Sequence, residues 1–350
     1  MENHSRKWLV GCKLPHVVRQ INPGLARLWI DDTTRQYGAN SEVVLANLSN
    51  AQFRALDYLE TGISDNQLPL LPKMASADTD VTNGLLERLG PLLSRTSSFM
   101  PTFTENEISR RFSEIMRLYL IGLDDPAETM RARKSLRVFL SKLDRTGLTL
   151  LKTLNASAIT NVFTNDHSKV LPGDTLEMGY PQSLLGTQRV RAAKSIADEL
   201  SIQLHSRVST AFDQTDLAIL VCHDIIHPAD YQPWLSRDVP HLAICFDESG
   251  VQISHIVIPG VTPCLGCIEL HRINNVPNWI KIATQLTSLD RDLADSALML
   301  FSGGIALSKS LNYLDGLKNQ EPLDMIRLER SGDVVTSKAN WSECGCRNAL

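Results

Sequence analysis

The 350-residue sequence lacks any apolar run near the roughly 20 residues that a helix needs to cross a bilayer. No apolar segment of signal-peptide length follows its charged and polar N-terminus, so we expect a cytoplasmic protein with no membrane partner. A basic stripe is also missing, because the net charge is −4 and the lysines and arginines are scattered. Nucleic-acid-binding surfaces usually carry such a stripe, and we therefore expect no nucleic acid as a partner.

The composition that is present is typical of a globular protein, with 43% hydrophobic and 21% charged residues. The length allows two domains of roughly 150 residues each. Over residues 1–125 the pattern predicts strands near 25–31 and 42–48. Helices are predicted between Ser49 and Gly62, over 83–93 and over 105–120, the last with a capping box at Thr104. This mixture of α and β elements suits a small winged-helix-like domain with a helical extension.

From residue 134 onwards the pattern changes to alternating strands and helices, which is typical of a doubly wound α/β sheet. Basic residues over 131–137 read as the end of a helix that runs into a strand. The last two strands of the series, 241–246 and 252–258, are joined by a short turn and predict a hairpin. We therefore expect a mixed, Rossmann-like sheet over 134–350.

Four of the seven cysteines form two tight pairs, Cys264 with Cys267 and Cys344 with Cys346. In a chain without a secretory signal, such pairs favour a metal over disulfides. Four thiolates around a tetrahedral ion describe a structural zinc site. Unliganded buried cysteines and a redox CxxC motif remain alternatives, and two nearby histidines are further candidate ligands, His255 and His271.

The turn after the first strand is where a doubly wound fold binds phosphate groups. Of the three glycines in the usual GxGxxG pattern only the third, Gly147, is present, with Lys142 and Asp144 at the first two positions. The carboxylate of Asp144 places negative charge where a phosphate would lie, and like charges about 4 Å apart repel by roughly 4 kcal/mol. ATP and Mg²⁺ are therefore not expected in the usual pose, although Lys142 and Arg145 could partly compensate.

Two acidic residues follow predicted strands. Asp166 stands where a ribose-binding acid would, and Asp224, beside His223, stands where a catalytic or magnesium-binding acid would project. Both also belong to sequences that make good turns. The functional and the purely structural interpretations of these residues remain open at this stage.

Residues 134–350 resemble the ThiF-type superfamily of ubiquitin-activating-like proteins, which adenylate a carboxyl terminus with ATP. The resemblance is strongest over 255–272, which contains the first cysteine pair, and continues through Trp279 to the terminal Cys-Gly-Cys. A second matching segment runs from Gly179-Tyr180 to Arg189. The chain looks most like the actinobacterial branch of leader-peptide-binding, cyclodehydratase-associated proteins of thiazole/oxazole-modified microcin systems.

That resemblance implies that the N-terminal region is a winged-helix peptide-recognition element. A precursor's leader peptide would add as a strand beside the third β-strand and pack against the last helix. Carried onto this chain, the segment 42–48 is the edge, with Val43, Val44 and Leu45 as peptide-binding residues and the helix 105–119 behind them. A YcaO-type partner would hold the ATP-dependent chemistry, and a homodimer is implied because the superfamily commonly pairs through this fold.

The chain departs from active adenylating relatives. It keeps Gly147, Asp166, Arg189 and Asp224 but lacks the first two glycines and the Arg and Asn contacts expected after the second and third strands. The resemblance therefore implies a non-catalytic or weakly catalytic scaffold without independent enzyme activity. An active enzyme that adenylates a peptide or ubiquitin-like carboxyl terminus is the alternative, and a winged-helix transcriptional regulator is the third hypothesis.

Overall fold

The computed structural model describes residues 17–40, 43–99, 102–206, 214–289, 291–317 and 323–346. The chain divides into two compact units, Met1–Ala132 and Arg133–Leu350. Within the described ranges, no helix is long and apolar enough to cross a membrane. Cys12 and Glu42, which the sequence analysis considered, lie outside the described residues.

The N-terminal unit contains two small antiparallel sheets, with strand orders β5-β1-β6 and β2-β3-β4. Its strands are β1 (Val18–Ile21), β2 (Arg27–Asp31), β3 (Thr34–Tyr37), β4 (Val44–Leu45), β5 (Ile63–Ser64) and β6 (Leu93–Thr96). Its helices are α1 (Asn50–Thr61), α2 (Leu71–Ala75), α3 (Thr79–Leu89), α4 (Glu105–Arg110) and α5 (Phe112–Leu120). A winged-helix arrangement remains a prediction for this unit.

Side-chain caps explain where several of these helices begin. Ser49 caps α1 and exchanges hydrogen bonds with Gln52, and Thr104 caps α4 in the same way with Glu107, as the sequence predicts. Asp78 caps α3 by accepting hydrogen bonds from two backbone N–H groups. The helix predicted over 105–120 is interrupted at Arg111, so that two helices replace one.

The core of the N-terminal unit joins β4 to α1 and α3, not to the helix predicted behind it. Leu45 of β4 is fully buried in one cluster with Leu56, Leu59 and Leu85. Helix α5 instead reaches β1 and β6, where the Tyr119 hydroxyl lies 3.1 Å from the Thr96 hydroxyl and 3.4 Å from the Gln20 side chain. The prediction that 105–119 lies behind the 42–48 edge was therefore wrong, because sequence spacing does not reveal which helix a strand packs against.

The second unit contains an eight-stranded mixed sheet in the order β14-β13-β12-β11-β10-β7-β8-β9. The first two strands are β7 (Arg137–Leu140) and β8 (Asn161–Thr164), preceded by α6 (Pro126–Ser135), which crosses the sequence boundary between the units. The other strands are β9 (Gln203–His205), β10 (Leu217–His223), β11 (His241–Phe246), β12 (Gly250–Ile253), β13 (Asp324–Glu329) and β14 (Val334–Lys338). The helices are α7 (Arg145–Ala156), α8 (Arg189–Glu199), α9 (Pro228–Leu235), α10 (Leu265–Asn275), α11 (Trp279–Leu286) and α12 (Ser296–Leu314).

Strands β9, β8, β7, β10 and β11 are parallel, and β12 to β14 continue antiparallel from β11. The predicted mixed sheet with a hairpin after β11 is thus confirmed, although its second strand ends at Ile253, earlier than expected. The strand order reverses between β7 and β10. In open α/β sheets the ligand crevice lies at such a switch point, outside the carboxyl ends of the strands.

Candidate functional site

The two cysteine pairs meet in one cluster. The four Sγ atoms of Cys264, Cys267, Cys344 and Cys346 all lie within 4.8 Å of one another. Individual separations are 4.0 Å for the Cys264–Cys267 pair and 3.2 and 3.5 Å from Cys267 to Cys344 and Cys346. These distances exclude disulfides, whose sulfurs are about 2.05 Å apart.

The cluster has the donor chemistry and the dimensions of a metal site. A tetrahedral ion with Zn–S bonds of about 2.3 Å holds its sulfurs about 3.8 Å apart, within the spread found here. Burial would raise the pKa of Cys267, but hydrogen bonds from Ser342 and Cys344 outweigh it and lower that pKa to about 7. Burial raises the pKa of Cys264 and raises that of Cys346 to about 11, so the case for a metal site rests on the geometry and donor chemistry of the four sulfurs.

Local structure aims the first pair at the cluster. Cys264 is the N-cap of α10, and Cys267 follows in the first turn of that helix. Both cysteines of the first pair are thus positioned by the start of this helix. His255 is not part of the cluster, because its Nε2 donates to the Pro263 carbonyl at 2.7 Å, and His271 is exposed.

At the switch point, the side chain of Asp144 occupies the turn between β7 and α7. Asp144 caps α7, and its Oδ1 accepts a hydrogen bond from the Gly147 N–H at 3.0 Å. That amide is one of the groups that would otherwise face a phosphate. A Cβ at Gly147 would lie 1.8 Å from the Lys142 carbonyl oxygen, so close packing of helix on turn requires this glycine.

Asp166 and Arg189 are brought together beside this turn. Asp166 accepts the Leu143 N–H at 2.7 Å and lies 3.5 Å from Arg189 Nη1. Arg189 also donates from Nε and Nη2 to Asp174, at 2.9 and 2.7 Å. Burial opposes charge on Arg189, but Asp174 overcomes it and raises the pKa of the guanidinium. Arg189 is therefore paired with two carboxylates of its own unit, those of Asp166 and Asp174.

Asp224 lies apart from that group and has its own arginine. Its carboxylate pairs with the guanidinium of Arg291, which also donates to Glu248 at 2.7 Å. Asp224 has a left-handed backbone with φ of 67°, which aspartate tolerates better than most residues. The adjacent His223 accepts the Leu293 N–H at 3.1 Å and lies 3.8 Å from the Asp144 carboxylate.

A cavity of about 330 Å³ remains at this edge of the sheet. Its lining combines the half-buried Lys142 with further polar and apolar groups, among them Asn165, Cys222, His223, His227 and Asp230. The cavity is large enough for a small ligand at the place where the fold is expected to bind one. Lys142 contributes positive charge there, as the sequence analysis anticipated.

Of the predicted peptide-binding residues, Val44 and Leu45 form β4, an edge strand of its sheet, and Val43 immediately precedes it. Tyr37 donates its N–H to the Val43 carbonyl, and Gln36 pairs with Val44 one residue further along. Because hydrogen-bonded pairs alternate along an antiparallel ladder, the N–H and carbonyl of Val44 point away from β3, towards the free edge. The side chain of Val44 is 40% exposed, whereas Leu45 is buried.

Helix α3 flanks this edge. The Arg88 side chain donates from Nη2 to the Val44 carbonyl at 2.7 Å. Val81 and Gly84 lie on the same face of α3 as Arg88, at helical spacing. Val81 is exposed, and a Cβ added at Gly84 would have no neighbour within 4 Å.

Several of these residues were missed by the analysis of the sequence. Arg291, Asp174 and Arg88 act through partners distant in sequence, for which the sequence holds no signal. The capping role of Asp144 had one, because Asp just before a predicted helix is a preferred N-cap residue.

The chain matches no family model and no curated protein. Solved structures do match it. Escherichia coli MccB with AMPCPP and MccA is 11% identical with a TM-score of 0.68, over 95% of this chain and 100% of that one. The microcin C7 biosynthetic enzyme MccB in complex with N-formylated MccA is 10% identical with a TM-score of 0.67, over 93% and 98%.

This chain has the fold of MccB. PaaA matches less of it, at 16% identity and a TM-score of 0.60, over 78% of this chain and 96% of PaaA. At these identities the likeness concerns the fold alone. It agrees with the ThiF-type resemblance at that level and says nothing of the microcin branch.

Proposed function

We propose that this protein is a non-catalytic scaffold that binds a precursor's leader peptide and presents it to a YcaO-type partner enzyme. Residues 1–125 form the winged-helix-like peptide-recognition domain, and 134–350 form a degenerate ThiF-type domain. The protein acts in the cytoplasm, as a homodimer. The observation that carries this proposal is the edge of β4 beside α3, with which no further strand of the described residues pairs.

The geometry of that edge supports peptide addition. Val44 presents both backbone groups outwards, and the adjoining face of α3 has open space at Gly84. A glycine inside a helix costs about 1 kcal/mol relative to alanine. Its presence on this face leaves room for a second backbone, which would gain strand hydrogen bonds from β4 and side-chain contacts from Val81.

The strand ends of the second unit support the absence of adenylation. The Gly147 amide is capped by Asp144, and Arg189 is engaged by Asp166 and Asp174. Binding a nucleotide in the usual pose would require these pairs to break. Breaking a buried ion pair costs about 3–5 kcal/mol because a buried charge is left uncompensated.

The comparisons add a precedent for the peptide. MccB has been solved with MccA, and one such complex contains N-formylated MccA. This precedent supports a peptide as the ligand of the present protein. The four-cysteine cluster serves as a structural zinc site that fixes the C-terminal segment to α10.

A displayed library of random twelve-residue peptides, selected on the full-length chain, tests the proposal. Wild-type protein should enrich a family of peptides, and Gly84→Leu should abolish the enrichment without lowering thermal stability. Gly304→Leu is the matched control, since Gly304 also lies inside a helix with no atom within 4 Å of an added Cβ. Failure to enrich any peptide, or equal enrichment by Gly84→Leu, would refute the proposal.

The cavity at the strand ends favours the alternative, an active adenylating enzyme, because Lys142 lines it. That hypothesis requires micromolar Mg-ATP binding that Asp224→Ala abolishes. We expect calorimetry to detect no binding at millimolar nucleotide. Tight binding that depends on Asp224 would establish the enzyme and shift the search to its carboxylate substrate.

A further inference from the structure

We propose that Arg88 closes the free edge of β4 when no peptide is bound and selects an acidic residue in the peptide that replaces it. This inference rests on the proposed function and assigns a sequence preference to that peptide. It follows from one contact, the hydrogen bond from Arg88 to the Val44 carbonyl.

The first step concerns the backbone group that Arg88 occupies. An added strand pairs with an edge residue through both its N–H and its carbonyl. On β4 the outward-facing residue is Val44, and its carbonyl already accepts the Arg88 guanidinium at 2.7 Å. A peptide that pairs with Val44 must therefore displace Arg88.

The second step concerns Arg88 itself. The residue is exposed and lies in the last turn of α3, so its long side chain can swing away from Val44 without disturbing the core. Capping an edge carbonyl with a charged side chain is a known way to discourage unwanted strand pairing. The contact thus keeps the edge from pairing indiscriminately.

The third step concerns the displaced guanidinium. It remains beside the bound strand, on the face of α3 that contains Val81 and the open space at Gly84. A planar guanidinium is best satisfied by a carboxylate, which it binds through two parallel hydrogen bonds. An aspartate or glutamate in the peptide restores the bond that Arg88 lost at Val44, whereas a neutral peptide leaves it unreplaced.

This exchange predicts different effects of one substitution on two peptides. Removing the Arg88 side chain frees the Val44 carbonyl, which should tighten binding of a neutral peptide. For an acidic peptide the same gain is offset by the loss of the guanidinium–carboxylate bond, so its binding should not tighten. Each effect should be at most about fivefold, as expected for an exposed ion pair.

The test uses the displayed twelve-residue library on the full-length protein. Wild-type protein should enrich peptides that carry Asp or Glu at one fixed position, and Arg88→Ala should enrich peptides without that preference. The dissociation constants of one enriched acidic peptide and of its amide counterpart (Asp to Asn, or Glu to Gln) are then measured by fluorescence anisotropy. Arg110→Ala is the control, because Arg110 is also exposed and lies in the last turn of α4.

Support for the inference requires that the ratio of the two constants favours the acidic peptide in the wild type and in Arg110→Ala but not in Arg88→Ala. Enrichment of peptides with no acidic preference, or a preference that survives Arg88→Ala, would overturn the role of Arg88 and leave peptide binding intact. If no peptide is enriched by any variant, both the inference and the proposed function fail.

Discussion

Buried side chains pair with one another at part of the strand ends of the second unit, whereas at the edge of β4 in the N-terminal unit the exposed Arg88 covers a backbone carbonyl. Asp144, Asp166 and Arg189 are buried and bonded to partners within their own unit. Arg88, by contrast, is exposed and donates to a backbone carbonyl. The two regions therefore differ in burial, because the groups at the strand ends are held by buried partners and the contact at β4 is exposed.

The largest effect that separates the two units should come from the cysteine cluster. Cys346→Ser removes one ligand, and we expect zinc content to fall from about one ion per chain towards none. Loss of about 3–5 kcal/mol should lower the unfolding midpoint of the second unit by about 10 °C or more. Elemental analysis and scanning calorimetry measure both quantities.

Cys245→Ala is the control for that experiment, because Cys245 is buried in β11 outside the cluster. It should keep its zinc and lose little stability. Equal zinc content in the two variants would show that the cluster does not hold the metal.

Two glycine substitutions compare the effect of an added Cβ at a closely packed position in the second unit and at an open position on α3. Gly147→Ala places a Cβ 1.8 Å from the Lys142 carbonyl oxygen and should destabilise the second unit by about 3 kcal/mol. Gly84→Ala meets no atom within 4 Å and should stabilise α3 by about 0.5–1 kcal/mol. Urea denaturation of both variants checks the signs, and a destabilising Gly84→Ala would contradict the open face on α3.

Acid should weaken the second unit through its buried histidines. Burial lowers the pKa of His255 from 6.5 to about 4, so the folded protein keeps this imidazole neutral. Below pH 6.5 the imidazole of His255 binds a proton in the unfolded chain but not in the folded chain. The free energy of unfolding therefore falls as the pH drops towards 4. His255 should account for about 2 kcal/mol of the loss between pH 7 and pH 5.

Denaturant midpoints of the wild type and of His255→Gln at both pH values test this expectation. Glutamine can still donate to the Pro263 carbonyl but does not titrate, so the variant should lose less stability on acidification. An unchanged pH dependence would mean that folding does not lower the pKa of His255.

The smallest effect concerns the turn between β7 and α7. Asp144→Ala removes the cap of α7 and should cost about 1 kcal/mol, whereas Asp144→Asn keeps a capping oxygen and should cost less. Thermal unfolding of the pair measures the difference. If both variants are equally destabilised, the charge of Asp144 beside His223 matters more than its cap.

Much of the second unit follows from its sequence. Alternating apolar runs predict the parallel strands, and the turn at 247–250 predicts the hairpin of β11 and β12. Helices α9 and α10 were missed, because Pro228 and the CxxC motif suggested turns. In the N-terminal unit β1, β3, β5 and β6 were missed, since strands of two to four residues carry little periodic signal.

The sequence by itself predicted the two cysteine pairs as a candidate metal site and the loss of the glycine turn, because both depend on residue type at short spacing. Only the tertiary structure decided which groups the charged side chains contact. Asp224 pairs with Arg291, 67 residues away in the sequence, and Arg88 donates a hydrogen bond to the Val44 carbonyl, 44 residues away. Such pairs form when packing brings distant segments together, and no local pattern of residues encodes the choice of partner.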